Sequence, residues 1–237
     1  MKPDDEYNHA QPSHDDGQVS SSAIIDAQAE GRAPVRSFGL MIGAALWLVL
    51  AVAGSFYLVQ HAQSPGPEGT PPALWPGASR APHDPRLPTL VMFVHPQCPC
   101  SRASIGELEV LMTHCQDRLS AQVWFLQPEG MTEDWAKTDL WRTAEAIPGV
   151  TARLDGGGIE ARRFHAETSG QTVLYDRDGT LLFHGGITMA RGHFGDNPGS
   201  SAVLALVAHE LSGTASTPVF GCALADTECL RRSACQQ

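Results

Sequence analysis

Cys98 and Cys100 stand one residue apart in the stretch HPQCPCSRAS, directly after an uncharged run, TLVMFV, and directly before a helical pattern. A thiol at a strand-to-helix turn meets unsatisfied backbone N–H groups and the positive end of the helix dipole. Both favour the thiolate, the form that attacks disulfides and binds soft metals. Cys98 is therefore the candidate nucleophile. Pro99 suits a first turn because it has no N–H to leave unpaired, and His95 and Arg102 would lower the thiol further if they faced it. Cys100 is the candidate partner thiol. Residues two apart on a helix project in nearly opposite directions, so a Cys98–Cys100 bond requires a non-helical turn and closes a small, strained ring. A strained disulfide is an oxidising one.

The same turn offers a second chemistry. His95, Cys98 and Cys100 place one imidazole and two thiolates within six residues, soft donors suited to Cu(I). The blandest reading makes both cysteines merely small buried side chains. Three further elements bear on the site. Cys222, in PVFGC, is a candidate to return to the turn as a resolving thiol or third sulfur ligand. Cys115 falls on the apolar face of the following helix and reads as an inert core thiol. Cys229 and Cys235, near the end of the chain, read as a pair that bridges itself. Residues 185–197 form a glycine-rich loop whose Arg191, His193 and Asp196 are candidates for a site rim. There is no phosphate-binding glycine loop, serine-hydrolase elbow or two-histidine metal helix.

The elements that must hold this turn alternate. Residues 89–94 read as a strand buried on both faces of a partly parallel sheet. Ile105, Leu108, Leu111, Met112, Cys115 and Leu119 recur at helical spacing, with Ser104 and Glu107 placed as a capping box. Residues 121–126 predict a second strand, 132–147 one helix, 150–154 a third strand and 159–165 a short helix. Strands at 172–175 and 180–184 flank the turn DRDG as a hairpin. A last helix is predicted over 200–212, stopped by Gly213. Parallel crossover units joined to a closing hairpin give an α/β fold: a mixed sheet covered by helices on both faces, over residues 89–215, followed by a cysteine-containing extension, 216–237.

Upstream segments look like a device for placing that domain. Residues 1–37 are polar and aperiodic, and read as a disordered tail. Residues 38–59 are uncharged and, at 1.5 Å per residue, long enough to cross a hydrocarbon core of about 30 Å, so one transmembrane helix is predicted. A cleaved signal peptide is the alternative, from Ala51-Val52-Ala53, but the net-acidic leader is a poor n-region. Arg32 and Arg36 precede the span and no Lys or Arg follows until Arg80, which keeps the N-terminus cytoplasmic and, in a bacterium, puts the domain in the periplasm where thiols can be oxidised. Residues 60–88 carry eight prolines and read as a semi-rigid spacer, with Leu74 and Trp75 as an apolar spot that could pack back on the domain. The formal charge of −10 is spread over 237 residues, and nothing in it suggests a nucleic-acid surface.

Phe93 followed by four residues and Cys98, and later a strand running into Asp176-x-x-Gly179, resembles the thioredoxin fold, most like the membrane-anchored periplasmic thioredoxin-like proteins of the TlpA/ResA kind. Over residues 72–224 the motifs HPQCPCSRAS, TSGQTVLYD, GGIT-x-x-RGH-x-GDN and TPVFGC resemble the RedB-type proteins more closely. The resemblance implies a thioredoxin-like domain behind one transmembrane helix in a bacterial inner membrane. It also implies thiol–disulfide exchange with periplasmic protein thiols or disulfides, needing no cofactor: Cys98 attacks and Cys100, or less readily Cys222, releases. A copper-binding or copper-delivery module on His95, Cys98 and Cys100 is the rival, and a non-enzymatic interaction domain the third reading. Two positions depart from the family pattern. Ser101 stands where a thioredoxin has its second cysteine, and Gly170 aligns with the usual cis-proline.

Overall fold

The structure, a computed structural model, describes residues 33–115, 117–210 and 212–224, with side chains from residue 38 onward. Of the expected disordered tail, 1–37, residues 1–32 lie outside the described residues, as does the expected Cys229–Cys235 pair, whereas 33–37 form the start of a helix. The chain divides into two units, Met1–Ser55 and Phe56–Gln237. Helix α1, Ala33–Ala62, contains a stretch, Phe38–Ala62, that is long and apolar enough to cross a membrane by length and composition. It is apolar all round and its large side chains are exposed, the pattern of a candidate span rather than of a helix with one core-facing stripe.

The second unit is built on one six-stranded sheet. In chain order its strands are β1 (Thr89–Val94), β2 (Ser120–Gln127), β3 (Val150–Gly156), β4 (Gln171–Tyr175), β5 (Leu181–Gly185) and β6 (Ala215–Ser216), and in space they run β3-β2-β1-β4-β5-β6. β1, β2 and β3 are parallel, β4 is antiparallel to β1, and β5 is antiparallel to β4. This is the thioredoxin-like mixed sheet, with β1 at its centre.

All six residues of β1 are buried, and they divide by alternation. Leu90, Met92 and Val94 pack under helix α2 (Ser101–Cys115), α4 (Asp139–Glu145) and α6 (Pro198–Val207). Val91 and Phe93 face the other way, toward Phe164, which ends the short helix α5 (Ile159–Arg163), and Tyr175. Burying each such side chain contributes roughly 1.5–3 kcal/mol, so the alternation locks the register that puts residue 95 just past the C-terminal end of this central strand.

Several expectations change in detail. The proline-rich segment does not stand off the domain as a free spacer; it lies along the second face. Leu181 N–H donates to Ala73 O, Tyr175 Oη–H to Pro72 O, Thr168 Oγ1–H to Pro67 O and Gln122 Nε2–H to Pro82 O. Trp75 does pack back, edge-on to Phe164 and Tyr175 at 5.2 Å from each ring, while the Leu74 side chain stays exposed. Aromatic pairs of this geometry add about 0.5–1.5 kcal/mol beyond area burial.

The capping box is not formed. Ser104 and Glu107 lie inside α2, and the buried Glu107 carboxylate accepts from Gly195 N–H at 2.5 Å and Asn197 Nδ2–H at 3.1 Å. It therefore ties α2 to the loop before α6, whose N-cap is Asn197, accepting from Ser200 N–H. That helix begins two residues earlier than expected, with Pro198 in its first turn. The helix expected over 132–147 is broken into α3 (Glu133–Ala136) and α4, with Thr138 in extended conformation between them. The break lets the Thr138 hydroxyl donate to Pro96 O in the turn before Cys98. β6, two residues long, was not anticipated; it has no alternation to reveal it.

Candidate functional site

β1 ends at Val94 and the chain turns at once: Cys98 N–H donates to His95 O at 3.0 Å, and Ser101 N–H to Cys98 O at 3.2 Å. Cys98, Pro99 and Cys100 thus precede α2, in the non-helical turn that places both sulfurs on one side. Cys98 is 2% exposed and Cys100 half-buried.

Two other segments close over the turn. The stretch before β4 bonds to the end of β1 through Gly170 N–H to Phe93 O at 2.7 Å, and Ser169 Oγ accepts from His95 N–H at 2.7 Å. A proline at residue 170 would have no N–H to make the first of these bonds. Gly170 has φ +91°, and a Cβ there would stand 2.8 Å from Ser104 Oγ, so glycine is required both by conformation and by space. The C-terminal segment then runs antiparallel to residues 167–169. Ser169 N–H donates to Cys222 O and Leu224 N–H to Glu167 O, both at 2.8 Å, with a bridge between Thr168 and Ala223. Gly221 allows this approach, because a Cβ there would lie 1.9 Å from Ser169 O.

That pairing delivers Cys222 to the turn. The Sγ atoms of Cys98 and Cys222 are 3.0 Å apart, and those of Cys98, Cys100 and Cys222 all lie within 4.8 Å of one another. All are free thiols. Of the residues singled out in sequence, the structure thus unites these three and leaves two out. Arg102 is exposed and pairs with Asp139 at 2.5 Å instead of facing the sulfurs. His95 Nδ1 accepts from Gln97 N–H, its ring stands edge-on to Trp135, and among the described residues it does not belong to the sulfur cluster. From the glycine-rich loop Arg191 reaches the site, while His193 and Asp196 are exposed. Cys115 is fully buried in the core, where burial raises its thiol.

The electrostatics single out Cys98. Burial pushes its thiol up, but hydrogen bonds from the Cys222 thiol, the Ser101 hydroxyl and the N–H groups of both residues outweigh it and hold Cys98 at about 7. Ser101 is suited to this by its own partner. Ser169 Oγ accepts from His95 N–H, so its hydrogen is available to Ser101 Oγ at 2.6 Å, which leaves the Ser101 hydrogen for the sulfur. The two serines form a donor chain ending on Cys98. In sequence Ser101 stands only as a missing cysteine, and no local pattern points to Ser169.

Burial pushes Cys222 up to about 12, helped by its hydrogen bond to Cys98 and by the charges of Cys98 and Cys100, with Arg191 opposing. Burial and the Cys98 charge also raise Cys100, again against Arg191. The Arg191 guanidinium is fixed by Nε–H to Ser64 O at 3.1 Å and by a bond to Gly221 O, next to Cys222. Substituting Arg191→Gln should raise both thiols and move the half-maximal pH for release of a mixed disulfide upward. A profile left in place would show that the guanidinium is only a tether.

No family model matches the chain, and no curated protein does. Among solved structures it is similar to an uncharacterised conserved protein of Geobacillus kaustophilus, at 16% identity and a TM-score of 0.48, covering 68% of this chain and 92% of that one. It is also similar to a secreted disulfide oxidoreductase of Mycobacterium tuberculosis described as homologous to E. coli DsbE, at 15% identity and 0.38, covering 53% and 83%. A putative thiol:disulfide interchange protein DsbE of Chlorobium tepidum gives 15% identity and 0.37, covering 63% and 98%. These are likenesses of fold; the chemistry of the chain rests on its own three sulfurs.

Proposed function

We propose that the protein is a thiol–disulfide oxidoreductase whose redox pair is Cys98 and Cys222. The 3.0 Å contact between the two sulfurs, one acidified to about 7 and the other raised to about 12, carries this reading. Of the two expected resolving thiols, Cys100 and less readily Cys222, the 3.0 Å contact favours Cys222.

With a disulfide substrate, the Cys98 thiolate attacks one sulfur, forms a mixed disulfide and expels a substrate thiolate, which takes a proton from water. Because Cys98 is covered, the segment carrying Cys222 must first draw back. Once Cys98 is covalently bound its negative charge is gone, and with it the interactions that most distinguish Cys222 from an ordinary buried thiol. Arg191 remains. Cys222 then loses its proton and attacks Cys98 Sγ, closing Cys98–Cys222 and releasing the second substrate thiolate. Run in reverse, the same steps oxidise a dithiol. Stabilising the Cys98 thiolate stabilises the reduced protein, which makes the pair the more oxidising one.

The partners that fit are protein thiols or disulfides in the periplasm. The setting that fits is a single-pass anchor in a bacterial inner membrane through residues 38–62, with the N-terminus cytoplasmic. The apolar helix and the arginines at 32 and 36 support it. This matches the TlpA/ResA and RedB resemblance.

Mixing the reduced full-length protein with oxidised glutathione tests the function. Two glutathione thiols should be released per protein disulfide formed, with an initial rate that rises through about pH 7 and levels off above it. A midpoint near that of a free cysteine, or the same rate in Cys98→Ser, would contradict the reading.

A further inference from the structure

Disulfide exchange uses two sulfurs, yet a third is held as close. We propose that Cys98, Cys100 and Cys222 form a three-thiolate site for Cu(I). This differs from the His95-containing set expected from sequence and does not rest on the exchange reading. Cys100 is half-buried, faces the other two sulfurs within 4.8 Å, and has no part in the Cys98–Cys222 step.

Donor type and donor number both point to this ion. Thiolates are soft ligands that select Cu(I), zinc or iron–sulfur clusters. Structural zinc takes four protein ligands and catalytic zinc three plus a water; among the described residues the group of metal-donating side chains at this place has three members, all sulfur, so zinc would need a fourth ligand from elsewhere. A monovalent, three-coordinate ion fits that count. With metal–sulfur bonds of about 2.3 Å, trigonal ligation puts the sulfurs roughly 4 Å apart. No two of the three Sγ atoms are more than 4.8 Å apart, and the Cys98–Cys222 pair, at 3.0 Å, would open by about 1 Å.

Three thiolates and one Cu(I) leave a net charge of −2. Arg191, fixed by Ser64 O and Gly221 O beside Cys100 and Cys222, is placed to offset it. Binding involves no electron transfer. Copper stays monovalent, three Cu–S bonds form, and the protons still carried by the three thiols pass to water.

The test uses the full-length chain carrying Cys229→Ser and Cys235→Ser, fully reduced and without oxygen. Cu(I) is titrated against a chromophoric Cu(I) chelator, and the loaded protein is examined by X-ray absorption. The expected result is one Cu(I) per chain with three sulfur neighbours. Cys100→Ser and Cys222→Ser, each checked for native circular dichroism, should separately reduce the count to two and weaken binding by roughly tenfold or more. Copper left on the chelator, a two-sulfur site unchanged in Cys100→Ser, or a nitrogen neighbour lost in His95→Ala would each overturn the proposal. Because binding is read on the reduced protein, its failure leaves glutathione-driven disulfide formation untouched, and failure of that reaction leaves copper binding untouched.

Discussion

Replacing Cys222 with serine should turn a short-lived partner complex into a persistent one. In the native protein the mixed disulfide on Cys98 is met by Cys222 once its segment returns to the pairing with residues 167–169 that sets the two free sulfurs 3.0 Å apart. Well-oriented intramolecular groups act at effective concentrations of about 10⁵ M or more, far above any thiol in solution. Removing Cys222 leaves release to Cys100 or to external thiols, so the complex should live at least about a thousandfold longer. It is detected as a reductant-sensitive adduct after trapping with acid. Cys98→Ser should abolish the adduct altogether, and Cys100→Ser should lengthen its life much less than Cys222→Ser. Equal trapping in Cys100→Ser and Cys222→Ser would remove Cys222 from the role assigned to it.

The second large effect concerns a residue that never becomes covalent. Ser101 is buried at 1% exposure and is the end of the chain from His95 N–H through Ser169 to Cys98. A hydrogen bond to a charged group contributes about 1.5–3 kcal/mol. At 1.36 kcal/mol per pKa unit, Ser101→Ala should raise Cys98 by about one to two units above its native value. The sign then carries to the redox equilibrium. Destabilising the thiolate destabilises the reduced protein, so above about pH 9, where Cys98 is ionised with or without the serine, the Cys98–Cys222 couple should become more reducing by about 30–60 mV, since 30 mV corresponds to 1.4 kcal/mol, and near pH 7, where native Cys98 is half ionised, by only about 10 mV. The pH profile of Cys98 alkylation and a glutathione redox titration read the two consequences separately. A potential that moves the other way would show that the serine chain does not stabilise the thiolate.

How far the sequence foretold this site depends on how local each determinant is. β1 was legible as a short continuous apolar run, buried on both faces, and α2 from its 3.6-residue apolar period, both within a few residues of Cys98. The hairpin was legible from DRDG, and it forms with Asp176 Oδ1 accepting from Asp178 N–H and Thr180 N–H. Ser104 and Glu107 have the spacing of a capping box, but the Glu107 carboxylate finds its partners 88 and 90 residues away, at Gly195 and Asn197. No local pattern encodes that choice. Apolar periodicity likewise runs straight across Thr138, whose break depends on Pro96 in another element.

The site itself follows the same division. Cys98 could be picked out from its place between a strand and a helix. Cys222 could be named only as a possibility, because its position depends on Gly221 passing under Ser169 O and on a pairing between segments more than fifty residues apart. Arg102 lies four residues from Cys98 and points to Asp139, whereas Arg191 lies far away in sequence and faces the thiols. Residues 60–62 still belong to α1, but proline content marks out residues 63–88, which hold no named helix or strand. It says nothing of the hydrogen bonds that lay them on the sheet.

The pairing of Cys98 with Cys222 is tested most directly by mapping disulfides. The reduced full-length protein is mildly oxidised, its remaining thiols are alkylated at low pH, and its proteolytic peptides are identified by mass. The account predicts a cross-linked peptide joining Cys98 to Cys222, with Cys100 alkylated. A Cys98–Cys100 loop with Cys222 alkylated, or Cys98 joined to Cys229 or Cys235, would contradict it.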